Sequence, residues 1–579
     1  MSDTVLAERV IDNYFRALDR YMIYFLASDI EEYSIFKQQL WHDAEKGDLV
    51  IAYNIFNRYQ KRITDRLKWG LNELENASTN FRNGSSNTSS FREQKNTRWF
   101  TGVTELNEYW RQKIKYALGQ LEAEHKDFDA AVDILIRRYQ EQLEHLEKIE
   151  SRDALDTYFN AITRSYDPNS TYFLPRKNAL DHKANVRREG VGLVLKQNYN
   201  ETKVVRSTIG GPSDGIVLPG DTILAVADDG EEFKSIIGWR LDDVVEAIRG
   251  PKGSLVKLKV RRSPSHKDKT LELVVMRDRV KIQAQQVTYQ EIKSDSVKSV
   301  IGVIDVPIFN VDFAAMQQGD RNYHRTSRDI ETFLKEATAN SVDGIIVDLR
   351  GNRGGALTES RYVVGHFIDT GPVAQIRNAK GKVELLSDTD SEVAYSGRLI
   401  ILVDRLTTGT SEIIAAAMQD YGRAIVVGDK TFGLGSVASV RPMSYGILRL
   451  TSGKYYRISG KDIHVLGITP DLLLPSYVNT SKVGQSTQLY NLPQNFIEPA
   501  KYTPRNSLSR VIEALKGELE EIMAIPNYQK YLQSLDQIND CRHHFNTLCL
   551  PEIKKKSSFE NDLKRNSHEL NLNAAIDLM

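Results

Sequence analysis

At 579 residues the chain is several times the roughly 150 residues of a common domain, and 41% hydrophobic residues can give each of three or four domains a core, so a single small module is excluded. Lys+Arg and Asp+Glu both number 77, which sets the formal net charge to zero and excludes the overall basic field of a general nucleic-acid or anionic-membrane binder. The two cysteines, Cys541 and Cys549, can build neither a disulfide framework nor a four-cysteine zinc site.

The opening Met1-Ser-Asp-Thr-Val-Leu-Ala-Glu-Arg9 has no basic n-region followed by an apolar h-region, and no stretch reaches the ~18 consecutive apolar residues of a membrane-spanning helix. The expectation is a chain without an export signal or an integral membrane segment, cytoplasmic if this start is genuine. From Val5 to about Ile149 apolar residues recur at helical spacing, as in Leu118/Leu121 and Ala131/Ile134/Leu135, with dense charge between them. The polar run from Ser78 to Ser90 interrupts this helical region and reads as a loop.

From Gly190 to about Ile282 the texture changes to short β-branched runs, Val191–Leu195, Lys203–Arg206, Thr222–Val226 and Leu255–Arg261, separated by Gly, Pro and Asp turns. One amphipathic helix, Trp239–Arg249, places Leu241, Val244, Val245 and Ile248 on a single face. An α/β stretch follows over about 299–475, with buried-strand runs Gly302–Val306, Gly344–Leu349, Leu399–Val403 and Ala424–Val427. The tail from about Pro499 is charged and helical again.

Gly190-Val-Gly-Leu193 opens a strand, and Gly211-Pro-Ser-Asp-Gly-Ile-Val-Leu-Pro-Gly-Asp-Thr-Ile-Leu224 follows the next one. Together with the later helix this resembles a PDZ domain, whose glycine-loop amides bind a C-terminal carboxylate while the peptide adds a strand to the sheet edge. The resemblance implies a peptide groove from Gly190, Val191, Gly192, Leu193, Val194 and Leu195 on one side and Leu241, Val244 and Ile248 on the other.

Longer phrases, in order, are Asp167-Pro-Asn-Ser-Thr-Tyr-Phe-Leu-Pro175, Gly238-Trp-Arg-Leu-Asp-Asp243, Asp348-Leu-Arg-Gly-Asn-Arg-Gly-Gly355, the run from Ser411-Glu-Ile-Ile to Ala424, and Gly467-Ile-Thr-Pro-Asp471. Over nearly the whole chain these resemble the C-terminal processing, or tail-specific, serine peptidases. The resemblance implies a multidomain α+β fold: an N-terminal helical domain and lead into the core (1–186), a PDZ-like β domain (187–283), and an α/β peptidase core of ClpP/crotonase-like type (284–478). A linker (479–498) and a C-terminal helical domain (499–579) complete it. It also implies a periplasmic location, an export signal then lying in a missing N-terminal part.

In that family a serine within Ser-Ala-Ser-Ala-Ser-Glu is the nucleophile, and a lysine within Thr-Phe-Gly-Lys-Gly-Thr-Val-Gln is its base. A buried lysine whose pKa falls from about 10.4 toward roughly 7 or 8 can take the serine proton. Here the phrases read Thr407-Thr-Gly-Thr-Ser-Glu412 and Thr431-Phe-Gly-Leu-Gly-Ser-Val-Ala438. Anchored on Ser411-Glu412, the nucleophile position is Gly409, the base position Leu434, and the position of the supporting glutamine Ala438. A glycine cannot attack a carbonyl and a leucine cannot accept a proton, while leucine avoids the desolvation cost of an idle buried amine.

Retained scaffold positions are Gly354 and Gly355, whose amides suit an oxyanion, and Arg350 and Asp420, an acid–base couple equally suited to a structural role. Rescue of activity would need Ser411 or Thr410 as nucleophile with Lys430 as base, each shifted along its own element and so re-aimed. Cys541, His543, His544 and Cys549 match no usual zinc spacing, and Asn83 and Asn87 match only a weak glycosylation pattern. No metal and no cofactor is expected. The expected function is an inactive homologue that binds C-terminal tails of unfolded or tagged proteins, with an adaptor protein or an active relative as a further partner. The alternative is an active endopeptidase with a displaced hydroxyl nucleophile, and a stable fold without a ligand is the third reading.

Overall fold

The computed structural model describes residues 2–77, 81, 98–125, 127–147, 151–174, 189–198, 201–208, 211–236, 239, 241–262, 269–279, 286–294, 299–478, 482–505, 507–543, 567 and 569–579. The polar run 78–90 lies outside them except for Phe81, as do Gly238, Arg240, His544 and Cys549. Cys541 and His543 fall in the last turn of a helix, Pro526–His543. The chain divides into two compact units, one holding the helical region and the small β domain, the other the α/β core with the C-terminal helices.

In the first unit, helices Asp3–Leu18, Val50–Glu75, Val103–His125, Phe128–Glu147 and Ser151–Tyr166 carry the apolar stripes read from the sequence. They build two adjoining cores, one around Trp110 and Leu67, the other around Tyr14, Phe25 and Tyr158. Buried ring polar groups are satisfied by backbone, as when Trp110 Nε1 donates to the Ile23 carbonyl at 3.0 Å and the Tyr158 hydroxyl to that of Leu40 at 3.1 Å.

The small β domain is an antiparallel sheet of Leu193–Asn198, Glu201–Ser207, Thr222–Asp228, Leu255–Arg262 and Lys269–Met276, in that spatial order, with helix Leu241–Ile248 beside it. Among the described residues Leu193–Asn198 is an edge strand, pairing with Glu201–Ser207. The helix falls within the expected Trp239–Arg249.

In the second unit a six-stranded sheet runs Thr288–Ser294, Ser299–Asp305, Gly344–Asp348, Arg398–Val403, Ile425–Gly428 and Leu472–Leu473. The first pair is antiparallel and the other four pairings are parallel. Both faces are covered, which is why these strands read as continuous apolar runs. Ile304, Ile345, Val347, Ile401 and Val426 pack toward helices Thr326–Ala339, Glu359–Gly365 and Thr410–Asp420. Ile301, Val303, Ile346, Ile400, Leu402 and Val427 face the opposite way, onto helices Ser509–Ala524 and Pro526–His543 and a terminal helix over 569–577. The C-terminal helices therefore form a layer of the core. A second, antiparallel sheet contains Gly371–Asn378, Val383–Asp388, Ser436–Pro442 and Ile447–Tyr456.

Candidate functional site

Gly409 follows the strand Arg398–Val403 and is the N-cap of helix Thr410–Asp420, with φ +68° and ψ −122°. L-residues are strained at that φ. A side chain would nonetheless have room: a Cβ built on Gly409 stands 3.5 Å from Gly354 Cα, 3.8 Å from Leu434 Cδ2 and 3.9 Å from the Arg353 carbonyl, ordinary contacts all. Two positions 25 residues apart in sequence, those that the family phrases align with nucleophile and base, thus meet side by side.

Glu412 makes that juxtaposition rigid. Its carboxylate is 0% exposed and accepts the Gly409 amide (3.0 Å), the Thr431 hydroxyl (2.6 Å), the Gly433 amide (2.6 Å), the Leu434 amide (3.1 Å) and the Tyr455 hydroxyl (3.4 Å). Burial pushes its pKa up, against the pull of the Thr431 hydroxyl and the backbone donors. One carboxylate therefore ties the turn before the helix to the loop bearing Leu434. His464, also 0% exposed, donates from Nδ1 to the Leu434 carbonyl at 2.6 Å; burial lowers its pKa, which favours the neutral ring, and its Nε2 has no partner among the described residues.

The expectation for the two loop glycines needs a correction. The Gly354 amide is committed to Asn352 Oδ1 at 2.8 Å, so it cannot serve an oxyanion. The Gly355 amide has no acceptor among the described residues, and neither does the amide of Thr410, the first residue of the helix. Residue type does not mark Thr410 as a backbone donor; its position as the first residue of a helix is the signal that does.

Arg350 and Asp420 do not pair with each other. Arg350 is buried on Asp348, with Nε at 2.9 and 3.1 Å from the two carboxylate oxygens. Asp420 lies at the far end of the helix, about 16 Å from Gly409 at 1.5 Å per residue, and binds Arg457 (2.6 Å) and Ser459 (3.1 Å). Both serve packing and geometry. Ala438 is exposed on strand Ser436–Pro442.

The displaced hydroxyls are poorly placed for attack. Ser411 is 0% exposed and its Oγ meets no partner among the described residues. Thr410 Oγ1 donates to the Gly355 and Ala356 carbonyls at 3.2 and 3.4 Å. The Lys430 side chain makes no hydrogen bond to either. Thr431, its neighbour, is the residue that turns inward to Glu412.

The other long phrases hold the core together. Asp167 accepts hydroxyls from Ser170 (2.6 Å) and Thr451 (2.8 Å), and Asp471 accepts the Val426 amide (2.9 Å) and the Gln419 side chain (2.7 Å).

In the β domain Gly192 has φ +75°, turning the chain into the edge strand. Leu193 and Leu195 pack partly buried against the domain core, with Val194 exposed on the opposite side. Val191, Val244 and Ile248 are buried in that core rather than lining an open groove, Val191 between two strands and the other two on the inward face of the helix; Leu241 remains half-exposed. Among the described residues no cluster could hold a metal ion, and no helix is long and apolar enough to cross a membrane.

Fold and site together define a multidomain α+β protein with a helical region, a small PDZ-like β domain and an α/β core. Residues 300–474 match the model of peptidase family S41, and residues 2–176 that of the tail specific protease N-terminal domain. The chain is 28% identical over 586 residues to the tail-specific protease of Haemophilus influenzae, covering 98% of this chain and 81% of that protein. It is 29% identical over 330 residues to the carboxy-terminal-processing protease of Bartonella bacilliformis, covering 56% and 70%. Among solved structures, the photosystem II D1 C-terminal processing protease aligns with a TM-score of 0.36 at 25% identity, covering 61% of this chain and 91% of that one. The peptide-bound PDZ domain of a Vibrio cholerae carboxy-terminal protease aligns with a TM-score of 0.16 at 38% identity, covering 16% and 96%. The chain thus carries a peptidase family S41 domain and a tail specific protease N-terminal domain, and is similar over nearly its whole length to a tail-specific protease.

Proposed function

We propose that this chain is a peptidase-family protein without peptidase chemistry, which binds the C-terminal tails of unfolded or tagged proteins through its PDZ-like domain. The observation that carries the reading is the contact between the Gly409 and Leu434 positions. The proton relay of the family needs a hydroxyl and an amine at these adjoining points, and a hydrogen and an isobutyl group stand there instead. Bound tails would be sequestered from an active relative or handed to it.

The test is digestion of an unfolded protein with an apolar C-terminal tail, run beside Ser411→Ala, Thr410→Ala and Lys430→Ala. No cleavage is expected from any of the four. Cleavage lost in one variant would show that catalysis has moved to a displaced hydroxyl. The double substitution Gly409→Ser with Leu434→Lys is expected to create activity at a cost of about 1–2 kcal/mol from the serine at positive φ, read by urea unfolding.

A further inference from the structure

The open side of edge strand Leu193–Asn198 is laid out for a further strand. The register Leu193↔Ser207, with the Thr208 amide donating to the Gly192 carbonyl at 2.7 Å, makes 193/207 a non-hydrogen-bonded pair. Val204, opposite Leu195, donates its amide to the Asp221 carbonyl and accepts the Gly220 amide, both at 2.8 Å. The amides and carbonyls of Leu193 and Leu195 therefore point away from Glu201–Ser207, to a side where no described strand pairs with them.

The two faces of this edge differ in kind. Leu193 and Leu195 pack, with buried Val204, toward the domain core. On the other face the directly opposed pairs are Val194 with Arg206 and Lys196 with Lys203. Lys196 and Arg206 are exposed and Lys203 is half-buried, and none of the three makes an ion pair among the described residues. The carboxylates of the adjoining segments are already engaged, Asp221 by Arg262 at 2.7 Å and Glu201 by Arg261.

Like charges directly opposed in a sheet repel. A lysine on an edge strand is by itself an ordinary guard against edge-to-edge pairing. Lys203 and Arg206, however, lie on Glu201–Ser207, which pairs with strands on both sides and has no edge to guard. Three unneutralised cations beside an open strand edge are the complement of an anionic strand.

We propose that this face reads acidic residues in the bound tail, an inference that rests on the tail-binding reading above and adds a chemical class to it. The ligand is a free C-terminal peptide, added as a strand beside Leu193–Asn198, with carboxylates at its second-last and fourth-last positions. With its terminus at the loop Gly190–Leu193, the peptide runs antiparallel to the strand and its last residue stands opposite Leu193. Side chains alternate, so the last and third-last turn to the helix side. The second-last then stands beside Val194 and Arg206, and the fourth-last beside Lys196 and Lys203, about 5 Å from the directly opposed residue.

The test is fluorescence polarisation of the full chain with labelled free-acid octapeptides ending Glu-Ala-Glu-Val, Gln-Ala-Gln-Val and Lys-Ala-Lys-Val. A fourth, ending Glu-Ala-Glu-Ala-Val, moves both carboxylates to the helix side, and each peptide has an amidated twin. The first is expected to bind about fivefold or more tighter than the second, the third weaker still, and the fourth no tighter than the second. The gain should shrink between about 50 and 500 mM NaCl and pass to the lysine peptide in the double variant Lys196→Glu with Lys203→Glu. Free acids that outbind their amides but do not differ among themselves overturn the acidic preference and leave tail binding standing. Free acids and amides bound alike, or no binding at all, overturn both. A preference for glutamate that survives the one-residue shift or the charge reversal also overturns it. The peptide series on the unmodified chain is decisive if the reversed variant fails to fold.

Discussion

A single carboxylate carries more of the candidate site's geometry than either position it joins. Glu412 accepts from both sides of the gap, and a glutamine there would present donors to donors, leaving about two of the five unpaired. Glu412→Gln is therefore expected to cost about 2–6 kcal/mol, at ~1–3 kcal/mol per buried unpaired group, read as a lowered urea midpoint. His464 gives a pH dependence of definite sign. Its folded-state pKa lies below the ordinary value of about 6.5, so the unfolded chain binds the proton preferentially. Its stabilisation is complete above about 6.5 and is lost as pH falls below that value. The buried carboxyls with raised pKa, such as Glu412, act in the opposite direction, so the measurement is a difference: His464→Gln should flatten the decline of unfolding free energy between about pH 7 and 5. Gly409 and Leu434 were legible in the sequence because they interrupt long phrases. The role of Glu412 was not, since its donors come from residues 431 to 434 and from Tyr455, which only folding brings to it.

Strands of the core were legible wherever both faces are buried, because short apolar runs such as Gly344–Val347 between turn residues read as buried strands. What periodicity could not supply was the direction of a helix relative to its neighbours. Arg350 and Asp420 share a phrase-level resemblance, yet the helix carries Asp420 a full length away from Gly409. The same limit applies in the β domain, where the face of Leu241–Ile248 was correctly apolar but Val244 and Ile248 belong to the interior. Tail binding is expected to depend on the entry to the edge strand. A fluorescent peptide with an apolar C-terminus should bind and its amidated twin should not. Gly192→Val, forcing a β-branched residue to φ +75°, should weaken the free-acid peptide by about tenfold. Equal affinity for both peptides would remove the carboxylate loop from the mechanism.

At the scale of the whole chain, the expected order of helical region, β domain, α/β core and helical tail is the order observed. The tail differs in kind: an amphipathic pattern announces that a face is covered without saying by what, and here it covers the sheet. Ile576 and Leu578 are nearly fully buried against Ile301 and Ile346 among others, and Met579 packs onto Gly344, where a Cβ would meet its sulfur at 2.6 Å. Deleting residues 567–579 should cost about 3–6 kcal/mol from the two aliphatic side chains alone, at ~1.5–3 kcal/mol each, seen as a lower melting temperature and faster proteolysis of the core.

That closing layer also sets a timetable. Ile301 leaves the ribosome roughly 270 residues before the segment that shields it, an interval on the order of tens of seconds at ~5–20 residues per second. The helical region and β domain can fold meanwhile from contacts already made, whereas the nascent core must wait with one greasy sheet face uncovered. A cell making this protein has to chaperone the middle of the chain until its end arrives.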